Sequence, residues 1–221
     1  MKKLIALITL LVAAACMLSG CSQESPLDGI PNPEAVIELS DGSSMRFELF
    51  VQEAPNTVAN FVSLARSGFY DGRSFFRIVP GAFIQSGDPF DDGTGGAGYV
   101  IQGEFSQNRI GNNVAHTRGT ISMSRQEEEF DSASSQFFIM QGNYPEYNGK
   151  YAAFGRAMDE ESLAVIDRIA SAMVDKKHSP VSPVPTIAHV TVETYGYKYE
   201  PAIIEPSDED EQEADKKEKQ K

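Results

Sequence analysis

The chain has 221 residues, 41% of them hydrophobic and 10% aromatic, which is material for one well-filled core and short measure for two domains. Its 32 acidic residues outnumber 19 basic ones, and a formal charge of −13 argues against binding nucleic acid phosphates or anionic headgroups. Two cysteines and three scattered histidines offer little for a disulfide framework or a metal set.

Lys2 and Lys3 precede a short apolar run from Leu4 to Leu18, too short and wrongly flanked for a retained spanning helix, so residues 1–20 read as a secretory signal. Leu18-Ser19-Gly20-Cys21 resembles a bacterial lipobox. That resemblance implies that Cys16 is discarded, that Cys21 is acylated, and that the mature chain has no disulfide despite an oxidising location. It also implies an extracytoplasmic protein, lipid-anchored to a bacterial membrane. Loss of Lys2 and Lys3 leaves 17 basic residues against 32 acidic ones, a charge of about −15, so lipid and not charge does the anchoring. Residues 21–34 read as this lipidated N-terminus and a flexible, proline-containing tether.

The folded part is expected over residues 35–197. Ile37-Glu38-Leu39 and Met45-Arg46-Phe47-Glu48-Leu49 alternate apolar and polar around Asp41-Gly42, which predicts an antiparallel hairpin. Asn56 or Thr57 can cap a helix whose stripe is Val58, Phe61, Val62 and Ala65, ended by Gly68. A second helix starts near Asp159 and carries Leu163, Ile166, Ile169, Ala170 and Met173 on one face. The rest of 74–197 comes as short apolar or alternating runs between glycine-rich turns, ending with "AHVTVETYG" (188–196). Many short strands with two helices predict a mainly β fold, a closed or nearly closed antiparallel barrel plugged by the helices. Residues 198–221, charged and without apolar periodicity, read as a disordered tail.

A search for familiar chemistry is mostly negative. His116, His178 and His189 have no Cys or Glu at ligand spacing and read as structural hydrogen-bonders, so no metal is expected. "GTGGAG" (93–98) lacks the Lys-Ser/Thr of a phosphate loop and reads as a flexible surface loop. No G-x-S-x-G elbow occurs, and carboxylates are too many for one acid-base pair to stand out.

"RIVPGAFIQSGDP" (77–89) is the exception, because it sets a permanent cation and an amide into apolar strand. If Pro80 to Ala82 make a three-residue connection, Val79 pairs with Phe83 and Arg77 with Gln85, and Arg77, Phe83 and Gln85 share one face. An even-length turn would put Arg77 opposite Gln85. A surface salt bridge for Arg77, with Phe83 and Phe138 as core, is the competing reading.

"NTVANFVSLARSGFYDGRSFFRIVPGAFIQSGDP" (56–89), "GTGGAGY" (93–99), "GTISMSR" (119–125), "SSQFFI" (134–139) and "YNGKYAAFG" (147–155) together resemble the cyclophilin family of peptidyl-prolyl cis-trans isomerases. The resemblance implies an eight-stranded antiparallel barrel capped by two helices, with a proline pocket on its outer surface. It implies catalysis by Arg77, with Gln85 binding a carbonyl. Phe83, Gln136, Phe138, Tyr147 and Tyr151 would form the pocket, and Ser124 and Arg125 would lie on the segment whose backbone meets the peptide. It implies no cofactor, a monomer, and proline-containing segments of secreted or envelope proteins as partners. A binding module or chaperone without useful turnover is the alternative. The sequence departs from the family at Ala82 (usually phenylalanine), Phe83 (usually methionine), Tyr147 (commonly leucine) and Tyr151 (frequently histidine). Glu146 stands about where cyclosporin-sensitive members carry tryptophan, which implies weak cyclosporin binding.

Overall fold

The computed structural model describes residue 27 and residues 29–205; the expected signal segment, Cys21 and residues 206–221 lie outside them. Eight strands are present: β1 (Glu34–Leu39), β2 (Ser44–Leu49), β3 (Arg77–Val79), β4 (Phe83–Ser86), β5 (Thr120–Met123), β6 (Phe137–Met140), β7 (Ala153–Ala157) and β8 (Ile187–Glu193). Two α-helices accompany them, α1 (Pro55–Arg66) and α2 (Glu160–Ala170).

All ladders are antiparallel, in the order β3-β4-β6-β5-β7-β2-β1-β8. The expected eight-stranded barrel thus takes the form of a curled sheet whose edges, β3 and β8, share no ladder. The seam is bridged just before β3, where Gly72 N–H donates to Ile187 O (2.7 Å) and Ile187 N–H to Arg73 O (2.9 Å). Helix α1 packs beside β8 and α2 beside β2. Inside lies the main apolar cluster, where Phe61 meets the rings of Tyr70, Phe137 and Phe154, and Tyr70 that of Phe137, at centroid distances of 5.2–5.7 Å. Such pairs each add about 1 kcal/mol beyond area burial.

The β1–β2 hairpin forms as its alternation predicts, with Ile37 opposite Met45. Helix α1 departs from expectation at its start. It begins at Pro55, with neither Asn56 nor Thr57 as cap, and the free N–H groups of both donate to the Glu104 carboxylate (3.0 and 2.7 Å). Proline suits the first turn because its missing N–H would be unpaired there, and the distant carboxylate does the work of a cap. Helix α2 is capped as expected, Asp159 accepting from Ser162 N–H at 2.8 Å. Met173, expected on its apolar face, lies beyond its last residue and is 68% exposed.

The folded part also runs past the expected boundary at 197. Tyr199 is buried, Ala202 exchanges two hydrogen bonds with the Asn56 side chain (2.7 and 2.9 Å), and Ile204 forms an antiparallel bridge with Val100. The expected disordered tail is therefore corrected for residues 198–205. Isolated non-local pairings of this kind leave no periodicity in a sequence.

Candidate active site

Strand β3 turns into β4 through Pro80-Gly81-Ala82, with Gly81 at φ +82°, a conformation that costs glycine little. The ladder pairs Arg77 with Gln85 and Val79 with Phe83, the register of the three-residue connection. Side chains alternate along a strand, so Ile78 and Ile84 point into the main core while Arg77, Phe83 and Gln85 share the outer face. The next two strands carry that face onward: Gln85 lies opposite Phe138 on β6, and Phe138 opposite Ser122 on β5. Phe137 and Ile139 go inward.

On this outer face stands a second apolar cluster of Ala82, Phe83, Phe138 and Met140, with Val79, Tyr144, Tyr147 and Tyr151 packed against it. Phe83 and Phe138 are thus buried, though not in the barrel core. Their ring centroids are 5.4 Å apart, and Tyr147 lies 6.3 and 6.0 Å from them. Tyr151 packs edge-on against Phe138 at 5.4 Å. Burial pushes the Tyr147 phenol above its ordinary value, with Tyr151 adding to the shift.

Arg77 meets no carboxylate at ion-pair distance among the described residues, so the surface salt bridge is not made. Its guanidinium carbon lies 4.9 Å from the Phe83 ring centroid, and Nη1 donates to Gln85 Oε1 at 3.1 Å. Gln85 Nε2 in turn donates to Gln136 Oε1 (2.9 Å) and Ser124 Oγ (3.2 Å). Gln136 Nε2 continues to the carbonyls of Gly95 (2.8 Å) and Gly93 (3.1 Å). An exposed cation is therefore connected through two buried or half-buried amides to the glycine loop, each amide fixed in one orientation by its partners.

That loop, expected to be a flexible surface stretch, is tied down. Ala97 N–H donates to Ser134 Oγ at 2.8 Å, and Asp88 accepts from Gly93 N–H and, at 2.8 Å, from Phe90 N–H. A Cβ at Gly95 would collide with the Asp88 carboxylate and the Pro89 ring, which explains glycine there. Between this loop and Ser124-Arg125-Gln126 runs a groove of about 600 Å³.

Ser124 and Arg125 differ in their roles. Ser124 N–H is bonded to Gln136 O (2.9 Å) while its hydroxyl faces Gln85. The Arg125 guanidinium carbon lies 5.0–5.1 Å from the ring centroids of Phe105, Phe130 and Tyr151, and its nitrogens donate to the carbonyls of Lys150, Gln126 and Glu127 (2.7–2.8 Å). The side chain is thus committed to holding two segments together. His116, Tyr144 and Asn148, which sequence reasoning did not select, also belong to this face. The tyrosine spacing at 144, 147 and 151 could have pointed to Tyr144, and His116 is the structural hydrogen-bonder that the sequence suggested, through Asn148 and Ser122. Among the described residues no group of three or more His, Cys, Asp or Glu side chains could hold a metal ion.

Residues 35–192 match the family of cyclophilin-type peptidyl-prolyl cis-trans isomerases. A peptidyl-prolyl cis-trans isomerase of Synechococcus elongatus is 40% identical over 147 residues, covering 64% of this chain and 95% of the relative. Peptidyl-prolyl cis-trans isomerase B of Bacillus subtilis is 44% identical over 118 residues, covering 53% and 78%. Among solved structures, a Cryptosporidium parvum cyclophilin-type isomerase crystallised in the presence of the dipeptide Ala-Pro superposes with a TM-score of 0.62 at 28% identity, covering 72% of this chain and 98% of that one.

Proposed function

The chain belongs to the cyclophilin-type peptidyl-prolyl cis-trans isomerases, and we propose that it acts on X-Pro bonds of secreted or envelope proteins through the Arg77–Gln85 face. Its substrates are proline-containing peptides, as the family implies. The observation that supports this site above any other is the Arg77–Gln85 hydrogen bond at 3.1 Å beside Phe83 and Phe138.

Rotation about an X-Pro bond is opposed by amide resonance, about 20 kcal/mol, and takes tens of seconds unaided. No bond breaks, so no nucleophile is required. As the bond twists, conjugation is lost and the prolyl nitrogen regains its lone pair. A donor aimed at that nitrogen stabilises the twisted state more than the planar one, which is the condition for faster turnover. Arg77 is assigned this role. Gln85 would hold the carbonyl of the residue before proline, so that rotation proceeds against a fixed end. Phe83, Phe138, Tyr147 and Tyr151 would grip the pyrrolidine ring in a partly dry site, where electrostatic effects are less screened. The backbone of Ser124 and Arg125, with Gln136 beside it, would align the residues preceding proline.

The location is part of the same proposal. Cys21 stands six positions before Leu27, which packs against the domain core. Acylation there would hold the isomerase within roughly 20 Å of a bilayer, where exported chains emerge. Two measurements test the assignment. Refolding of a protein limited by a prolyl step is expected to accelerate in the presence of the domain, and no acceleration would overturn the function. Metabolic labelling with palmitate is expected to mark the full chain and not Cys21→Ser; equal labelling, or none, would overturn the anchor.

A further inference from the structure

His116 precedes β5 and is 1% exposed, yet it reaches three separate parts of the candidate pocket. Its ring stacks on Phe138, with centroids 5.9 Å apart and planes 17° from parallel. Tyr147 and Tyr151 meet the same ring edge-on at 6.0 and 6.4 Å. Asn148 Oδ1 faces both the backbone N–H of His116 (2.8 Å) and Nδ1 (3.1 Å), while Nε2 lies 3.0 Å from Ser122 Oγ. The His116 carbonyl accepts Tyr144 N–H at 2.9 Å.

These contacts fix the tautomer. A backbone N–H can only donate, so the Asn148 atom that it meets is an acceptor, and the ring nitrogen facing that same oxygen carries the hydrogen. Nε2 is then left with its lone pair, which the Ser122 hydroxyl can fill. A single neutral form satisfies both ring nitrogens. Burial favours that form, lowering the imidazole below its ordinary value against the opposing Asn148 hydrogen bond.

We propose that His116 is a positioning residue for the proline pocket: it fixes the ring plane of Phe138 from behind and suspends the Tyr144–Tyr151 segment, so that the pocket is formed before a peptide arrives. The inference rests on the assignment of Phe138, Tyr147 and Tyr151 to that pocket. His116 lies behind Phe138 and would not touch the reacting bond, so its removal should change how readily the peptide is received more than how fast the bound peptide turns over. Preformed walls spare the peptide the cost of ordering them.

The test is steady-state isomerisation of a short Ala-Pro peptide by four variants. His116→Phe keeps a ring against Phe138 and drops both side-chain hydrogen bonds. Asn148→Ala removes the same tie from an exposed residue outside both apolar clusters, and it carries the test if His116→Phe does not fold. Each is expected to raise KM about fivefold, roughly the worth of one net hydrogen bond, with kcat within about twofold of wild type. Asn148→Asp, which keeps an acceptor oxygen, should restore KM. Phe138→Ala is the control for the pocket itself. If it raises KM while His116→Phe and Asn148→Ala do not, the positioning role is overturned and the pocket stands. If Phe138→Ala also leaves KM unchanged, the pocket assignment falls and this role with it.

Discussion

Gln85 Nε2 donates to two acceptors at unequal distances, Gln136 Oε1 at 2.9 Å and Ser124 Oγ at 3.2 Å. Both amide hydrogens are therefore occupied in the free protein, and a substrate carbonyl that binds Gln85 must displace one of them. The longer bond, to Ser124, is the one to yield. Ser124→Ala should accordingly leave turnover within about twofold, whereas Gln136→Ala frees Gln85 to rotate and should lower kcat/KM about tenfold, the loss of one well-placed charge-free hydrogen bond and its orientation. Exchange NMR on an Ala-Pro peptide checks both. The reverse ranking would mean that the peptide takes the Gln136 position.

Arg125 combines three ring contacts with three carbonyl bonds, a set that a planar fork can make and an ammonium cannot. Arg125→Lys should therefore lower stability by about 1–2 kcal/mol and raise KM several-fold, because the segments around Gln126 and Lys150 lose their common support. Urea unfolding beside peptide kinetics measures the two effects. Unchanged KM in the folded variant would limit Arg125 to stability.

What is legible in the sequence follows the range of the interactions. Strand alternation made the Arg77–Gln85 pairing legible only as one of two outcomes set by turn length, and the three-residue connection Pro80–Ala82 in the structure is what puts both on one side. The cap of α1 was not legible, because Glu104 lies 48 residues beyond Asn56. The same holds for the seating of residues 198–205, and for His116, whose partners Ser122, Phe138 and Asn148 meet it only when three segments converge. The glycine loop misled for a different reason. Glycines there serve close approach to Asp88, Pro89 and Ser134, and composition alone cannot separate that need from flexibility.

The neutral His116 predicts a pH dependence of stability whose sign is fixed. Its folded value is lowered from an ordinary 6.5, so the unfolded chain takes up a proton first as pH falls. Stability from this group is complete above about pH 6.5 and is lost as pH drops from there through the lower folded value. Urea midpoints at several pH values between about 7.5 and 5.5 should fall for wild type, and more shallowly for His116→Phe. Equal slopes would show that His116 is not held neutral.

Cyclosporin is expected to bind weakly. Glu146 is exposed on the short 3₁₀ turn Pro145–Tyr147, at about the place where the family resemblance puts a tryptophan in sensitive members. An exposed carboxylate cannot supply an indole's apolar face or its N–H donor. Calorimetry should give no submicromolar dissociation constant; a submicromolar value would mean that Tyr147 and Phe83 replace the missing surface.

In the proposed mechanism Arg77 supplies the electrostatic part of the rotation. The most direct measurement is exchange NMR of a short Ala-Pro peptide with wild type and Arg77→Ala side by side, using the chain from Ser22 onward and far-UV circular dichroism to verify that both are folded. Fast exchange is expected with wild type and a loss of about a hundredfold or more in the variant, while peptide binding changes much less. Exchange undiminished in a folded Arg77→Ala protein would contradict that role.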